Sequence, residues 1–319
     1  MTTAAAATVP VPRIRGVGLL TGWGEGAAAV PTAVPGPPAA LLTVPTPALS
    51  GERFRRATRE CLLAVAGVRA ALRDAGLAET VLAGGRTGIL YVTATGYAAA
   101  NRAFLEDEAS TTLHFPYTAP SAVPGEVTIE FGVRGPYVNL TGGGPAALHA
   151  LWYAARWLAE GIADRVLVLA VEAVHEVWDL VGPARRLHRR PVVEGAACLL
   201  LEPGDGPELA WASTTTWRRG APVAAAAVLD AVLEDRSPAL VVAGAGAGSL
   251  DRAERAALGR RGCTAPVARV PGEALACGPL IGLAQARARP APGPVLLTAV
   301  WRNDYGAMLW PLGRVTGGG

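Results

Sequence analysis

Short uninterrupted apolar runs alternate along the chain with longer segments whose apolar positions repeat at helical spacing. In the first half the runs "RIRGVGLLTG", "RTGILYV", "PYVNL" and "RVLVLAVEA" predict strands. Between them, "SGERFRRATRECLLAVAGVRAALRDAGL" predicts a helix with Ser50 as N-cap and Gly76 as stop. "AAANRAFLEDEA" and "SAVPGEVTIEFG" predict two shorter helices, and the proline-rich residues 25–50 an irregular loop. "PAALHALWYAARWLAEG", with Pro145 at its first turn and Gly161 at its end, is apolar on nearly every side and predicts a buried helix.

The second half repeats the order. "VEGAACLLLEP" and "ELAWASTTTW" read as adjacent strands, and "APVAAAAVLDAVLED" as a helix. "PALVVAGA" follows as a strand, "SLDRAERAALGRR" as a helix, and "GEALACGPLIGLAQARA" as a helix bent or started late at Pro279. "GPVLLTAVW" and "GAMLWPLG" close the chain as strands. Two echoes point to duplication: "TGILYVTATG" resembles "PALVVAGAGAG", and "EGAACLLLEP" resembles "YGAMLWPLG". Strands apolar on both faces need helices on both sides, so the pattern predicts an α/β protein of two similar halves. The division read from the sequence is a loose tail over 1–12, halves over 13–190 and 191–313, and a tail over 314–319.

Composition narrows the chemistry. The chain has 319 residues, 51% hydrophobic, with a formal charge of +3, which gives no electrostatic reason to expect nucleic acid. All 29 basic residues are arginine, which excludes a Schiff-base lysine, a pyridoxal enzyme and a Walker-type phosphate lysine. The excess of Ala, Arg, Gly and Pro is that of a GC-rich bacterial genome. Cys61, Cys198, Cys263 and Cys277 are scattered without a CxxC pair, so neither a disulfide framework nor a zinc site is expected. No segment reads as a signal peptide or reaches the ~18–20 apolar residues of a membrane span, so a soluble cytoplasmic protein without membrane contact is expected.

The strand-to-helix junction "NLTGGGPAALHAL" carries Gly142, Gly143 and Gly144. Such a junction suits an anion, because the first N–H groups of the helix point at it. It can equally be a plain tight turn, or an active site whose nucleophile is gone. The run lacks G-x-G-x-x-G spacing, and "GAGAGS" (244–249) also misses it. His149 falls inside the apolar helix and reads as a core residue; His114, His175 and His188 form no metal pattern, and no metal or cofactor is expected. "ARRLHRR" and "RFRRATR" read as solvated basic segments or as contacts for an acidic protein surface.

Taken together, these segments resemble the thiolase-type fold of the β-ketoacyl-acyl-carrier-protein synthases, from residue 13 to 313. The specific part is the segment from "AVPGEVTIEFGVRGPYVNLTGGG" through "RVLVLAVEA"; "VEGAACLLLEP" resembles the family's Gly-Glu-Gly-Ala strand. The resemblance implies a thiolase-like fold of two duplicated βαβαβ-type halves in αβαβα layers. It puts the family's catalytic cysteine on Gly144, its first histidine on Ala243 or Gly244, its lysine on Ala268 and its second histidine on Glu273. Without these groups condensation is not expected, and the chain resembles a chain-length factor, a subunit that pairs with an active ketosynthase in type II polyketide or fatty-acid-like synthesis. Gly144 departs from the Gln common there. Tyr117, Phe131 and Trp152, with Gly142 to Gly144, are the candidate lining of an acyl tunnel. The expected partners are an active ketosynthase subunit in a heterodimer and an acyl carrier protein, with Arg185, Arg186, Arg189 and Arg190 as candidate contacts. The competing reading is a divergent enzyme (cyclisation, dehydration or acyl transfer) with Glu273 and Asp304 as its acid/base pair.

Overall fold

A computed structural model describes residues 6–33, 40–106, 115–181, 190–215, 221–244, 249–289, 293–302 and 304–312. The strands are β1 (Ala7–Pro10), β2 (Arg13–Thr21), β3 (Gly24–Glu25), β4 (Leu41–Leu42), β5 (Thr87–Thr93), β6 (Tyr137–Thr141), β7 (Arg165–Glu172), β8 (Val192–Val193), β9 (Gly195–Glu202), β10 (Glu208–Thr215), β11 (Leu240–Val242), β12 (Val267–Ala268), β13 (Pro294–Trp301) and β14 (Asp304–Pro311). The helices are α1 (Arg59–Ala75), α2 (Ala98–Glu106), α3 (Ala122–Phe131), α4 (Gly144–Ala159), the single turn α5 (Trp178–Val181), α6 (Ala221–Leu233), α7 (Ser249–Arg260) and α8 (Cys277–Arg287).

Two six-stranded sheets carry the fold, ordered β3-β2-β9-β7-β5-β6 and β1-β10-β14-β13-β11-β12. In both, the first three pairings are antiparallel and the last two parallel. Strands β5 and β11 therefore take equivalent places, as do β9 and β14, which are the pairs whose sequences echo each other. One core packs α1 and α3 against the outer face of the first sheet, and another packs α6 and α7 against the outer face of the second. Helices α4 and α8 fill the space between the sheets. The layers are αβαβα. β7 is buried along all but its first residue, as a central strand covered on both faces must be.

Several details differ from the sequence reading. Residues 7–10 are no tail: β1 pairs with β10 at the edge of the second sheet. β9 and β10 are consecutive but lie in different sheets, so the chain crosses between them. β1 completes the second sheet and β9 the first, and the sheets do not divide the chain at 190/191. The first helix starts at Arg59, where the Thr58 hydroxyl accepts from the Cys61 N–H; Glu52–Arg55 forms a separate 3₁₀ turn. Helix α4 is not apolar all round, because Arg156 is exposed and Trp152 and Tyr153 half-buried. Helix α8 starts late, as Pro279 suggested.

Candidate functional site

The glycine run joins β6 to α4, and the Gly142 N–H donates to the Thr93 carbonyl at the end of β5. What faces the run explains its composition. A β-carbon on Gly143 would lie 2.7 Å from the Trp301 ring. One on Gly144 would lie 2.8 Å from the Ala299 β-carbon and 3.3 Å from Pro279. Strand β13 and the start of α8 thus sit where side chains at 143 and 144 would be. Of the readings open at this junction, close packing is the one the geometry carries.

A cavity of about 40 Å³ lies beside Gly144. A water needs roughly 10–15 Å³ on this measure, so the space admits a few waters. The end of β11 gives it Ala243 and Gly244, the turn before α8 gives Glu273 and Leu275, and β13 gives Thr298 and Ala299. Three of the four positions singled out by resemblance therefore meet at one cavity: Gly144, Ala243 and Glu273. Ala268 stands just behind, pairing with Val242 and accepting from the Ala243 N–H at 2.9 Å. Among the described residues the lining holds no cysteine, histidine or serine.

Its charged groups neutralise each other. Arg190 lies 3.5 Å from Glu273 and donates to the Val270 carbonyl at 3.0 Å. The other Glu273 oxygen accepts from the Leu275 N–H at 3.2 Å. Arg190, expected on a carrier-protein surface, is instead turned inward; Arg185, Arg186 and Arg189 lie outside the described residues, as do His114 and His188. Asp304 begins β14, accepts from the Thr215 hydroxyl at 2.7 Å and does not line the cavity.

The aromatic candidates lie elsewhere too. Phe131 is buried in the core beneath α1 and α3, and Tyr117 packs against that core. Burial and the adjacent Glu126 raise the Tyr117 hydroxyl to about 12. Trp152 belongs to an aromatic group on α4 and β10, in which His149 stacks between Tyr153 and Trp211 with both centroid distances 4.7 Å. Burial lowers the His149 pKa, which suits a neutral stacked imidazole. "RFRRATR" divides its work: Arg53 pairs with Glu126 and Glu130, and Arg59 grips Glu194 through both carboxylate oxygens at 2.9 and 2.8 Å.

Sequence reasoning missed the buried carboxyls around this site. Glu172 and Glu194 are fully buried. Glu194 also accepts from the N–H groups of His175 and Val44. No arginine among the described residues pairs with Glu172; its Oε1 accepts from Ala94 N at 2.7 Å and Ala276 N at 3.1 Å, and its Oε2 from Thr95 N at 3.1 Å and Thr95 Oγ1 at 2.8 Å. Burial raises its pKa to about 7 against these bonds. Glu60, at the start of α1, is raised to about 8 by burial and by the nearby Glu172. The available signal was a lone acid ending or preceding an unbroken apolar strand, as in "RVLVLAVE" and "EGAACLLL".

The family profile described as "Beta-ketoacyl synthase, N-terminal domain" matches residues 45–188. The ishigamide ketosynthase/chain length factor superposes with a TM-score of 0.75 at 20% identity, covering 95% of this chain and 100% of that one. A type II PKS acyl-carrier protein in complex with its ketosynthase bound to the hexaketide (AntDE:AntF) gives 0.75 at 14% identity, with 96% and 99% covered. A β-ketoacyl synthase from Burkholderia phymatum gives 0.74 at 18% identity, with 96% and 100% covered. No curated protein sequence matches the chain. The fold is thiolase-like, and residues 45–188 are similar to the N-terminal domain of β-ketoacyl synthases. No described helix is long and apolar enough to cross a membrane.

Proposed function

We propose that this chain is a ketosynthase-like subunit without condensing activity of its own, in the manner of a chain-length factor. It pairs with an active ketosynthase and helps shape the partner's acyl tunnel in type II polyketide or fatty-acid-like synthesis. One observation carries the reading: at the position where the family's nucleophile falls, Gly144 has the Ala299 methyl 2.8 Å from where any β-carbon would be. A cysteine there needs β13 to move before it can carry an acyl group. The groups beside it cannot substitute: Ala243 and Ala268 have no donors in their side chains, and Glu273 is ion-paired with Arg190. The likeness to an ishigamide ketosynthase/chain length factor supports the class of partner. Glu273 and Asp304 as an acid/base pair is the weaker reading, since Asp304 is absent from the cavity lining.

Co-expression with an active type II ketosynthase, followed by light scattering, tests the assignment. A 1:1 complex with an interface in the roughly 2,000–5,000 Å² class is expected. A stable monomer that ignores the ketosynthase would count against pairing. Intact-mass measurement after incubation with acyl-carrier protein should show no adduct, and Gly144→Cys alone should restore no condensation; turnover above background would overturn the non-catalytic assignment.

A further inference from the structure

One side chain takes the space in front of the glycine junction. Trp301 ends β13, and three of its ring carbons lie within 2.8 Å of where a β-carbon on Gly143 would be, so the ring face covers that residue. Trp301 also packs on a small apolar cluster. Val174, Val192 and Leu275 are its buried floor, while Trp301, Trp178, Ala94 and Leu41 are half-buried and form its rim. The backbone is strained at two points around it. Among the described residues three non-glycines have positive φ, and two of them are here. Leu275 has φ of 50°, and Arg302, which follows Trp301 in the tight turn between the paired Trp301 and Asp304, has φ of 52°. Such conformations are unfavourable for these side chains and persist only where the surrounding structure over-determines them.

We propose that Trp301 is a resident plug: its indole fills an apolar chamber over the Gly142–Gly144 junction, and without it the chamber takes a short hydrocarbon chain whose polar end stays in water. The ligand class follows from the lining. A floor of aliphatic side chains offers no hydrogen bond, so it accepts hydrocarbon and disfavours any buried polar group. Chambers of this kind, about 150 Å³ when emptied of a large side chain, stay dry and bind small apolar molecules. Because the plug is half-buried, the chamber reaches the surface on its side, and a charged head group need not be desolvated. The neighbouring cavity of about 40 Å³ shares Leu275 but admits only a few waters, so it cannot take the chain instead. Gly143 is the counterpart of the plug, since any side chain there collides with the indole. Trp301 thus adds a second barrier to the one that Ala299 raises at Gly144. The inference concerns this chain's own chamber and stands whether or not the chain is a pairing subunit.

Trp301→Ala in the full chain, titrated with hexanoate, tests it. The variant should bind hexanoate at least about ten-fold more tightly than wild type, read as titration heat and as a thermal midpoint that rises with hexanoate concentration. Trp301→Phe refills most of the chamber and should return the response towards wild type. An equal response in wild type and Trp301→Ala, or none in either, overturns the proposal. So does binding of benzene without hexanoate, which would mean a sealed void behind the ring and no chamber open to solvent. Should Trp301→Ala not fold, Trp301→Leu is compared with wild type by xenon NMR: a shift that differs from wild type is expected, and an identical shift overturns the proposal. None of these readouts needs a ketosynthase.

Discussion

Helices α4 and α8 occupy equivalent places in the two halves, yet their first turns rest on different supports. The register makes the positions comparable. Glu172 on β7 faces Gly195, Ala299 on β13 faces Gly306, and the two glycines fall at the same point of the echoed "EGA" and "YGA". In the first half that point of the strand holds a carboxyl, which receives the N–H that precedes α8. In the second it holds a methyl, which packs on the first residue of α4. One half thus anchors its neighbour helix by hydrogen bonds and leaves a titratable group in the core. The other half anchors by contact, and a side chain at the start of α4 is what it gives up. A duplicated frame keeps strand order and register while the residue at one buried point decides whether the junction is polar or dry.

Removing the polar support should have the largest effect. Glu172→Ala leaves three N–H groups and a hydroxyl without their acceptor in a buried site, and each such group costs about 1–3 kcal/mol. Part is recovered by water entering the space, so a loss of roughly 3–5 kcal/mol in urea unfolding is expected. A loss below about 1 kcal/mol would show that the two junctions do not differ in the way described.

Global stability should follow pH in the same sense. Glu60 and Glu172 hold their protons more tightly folded than unfolded, at about 8 and about 7 against an ordinary 4.5. Their contribution is complete below about pH 4.5 and is lost as pH rises through 7 and 8. The carboxylates lowered by arginine, Asp164 and Asp179, work the other way, being lost in acid, but both are solvent-exposed surface pairs and weigh little. The urea midpoint should therefore fall from pH 6 to pH 9, and less steeply in Glu60→Gln; a midpoint that rises over this range would reverse the assignment.

The dry junction is tested by a pair of substitutions. Gly144→Ala forces the strand and helix apart and should destabilise by about 1–3 kcal/mol. Adding Ala299→Gly removes the opposing methyl and should recover most of that, a coupling that independent sites would not show. Additive losses would mean that the two residues are not in the contact described.

Much of this frame was legible in the sequence, and the reason is periodicity. Both echoes fell on strands that take equivalent places, and Pro279 marked the late start of α8. What stayed hidden was set by tertiary contacts. Nothing local in "TVPVP" announces that β1 pairs with β10, about two hundred residues on. The crossing between β9 and β10 is unreadable because both strands look alike to a periodicity test. At the site, the alignment of Gly144, Ala243 and Glu273 around one cavity came from resemblance. That Trp301 and Ala299 explain the glycines needs the opposite sheet, and the pairing of Arg190 with Glu273 needs two loops far apart in the chain.

The smallest expected effect isolates one bond of the polar junction. Thr95→Val keeps the shape of the side chain and removes the hydroxyl 2.8 Å from Glu172 Oε2. The Thr95 N–H still reaches the same oxygen, so the carboxyl keeps its other partners. A single intramolecular hydrogen bond contributes about 0.5–1.5 kcal/mol net, and the variant should lose about 1 kcal/mol near neutral pH. The loss should be greater in base than in acid. The Thr95 hydroxyl donates to Glu172 and holds its pKa down, so the bond serves the ionised carboxylate. A hydrogen bond to a charged group is worth more than one between neutral groups. Urea midpoints of wild type and variant at pH 5.5 and pH 8.5 measure the difference. A loss larger at the lower pH would show that Thr95 serves the protonated carboxyl, not the ionised one.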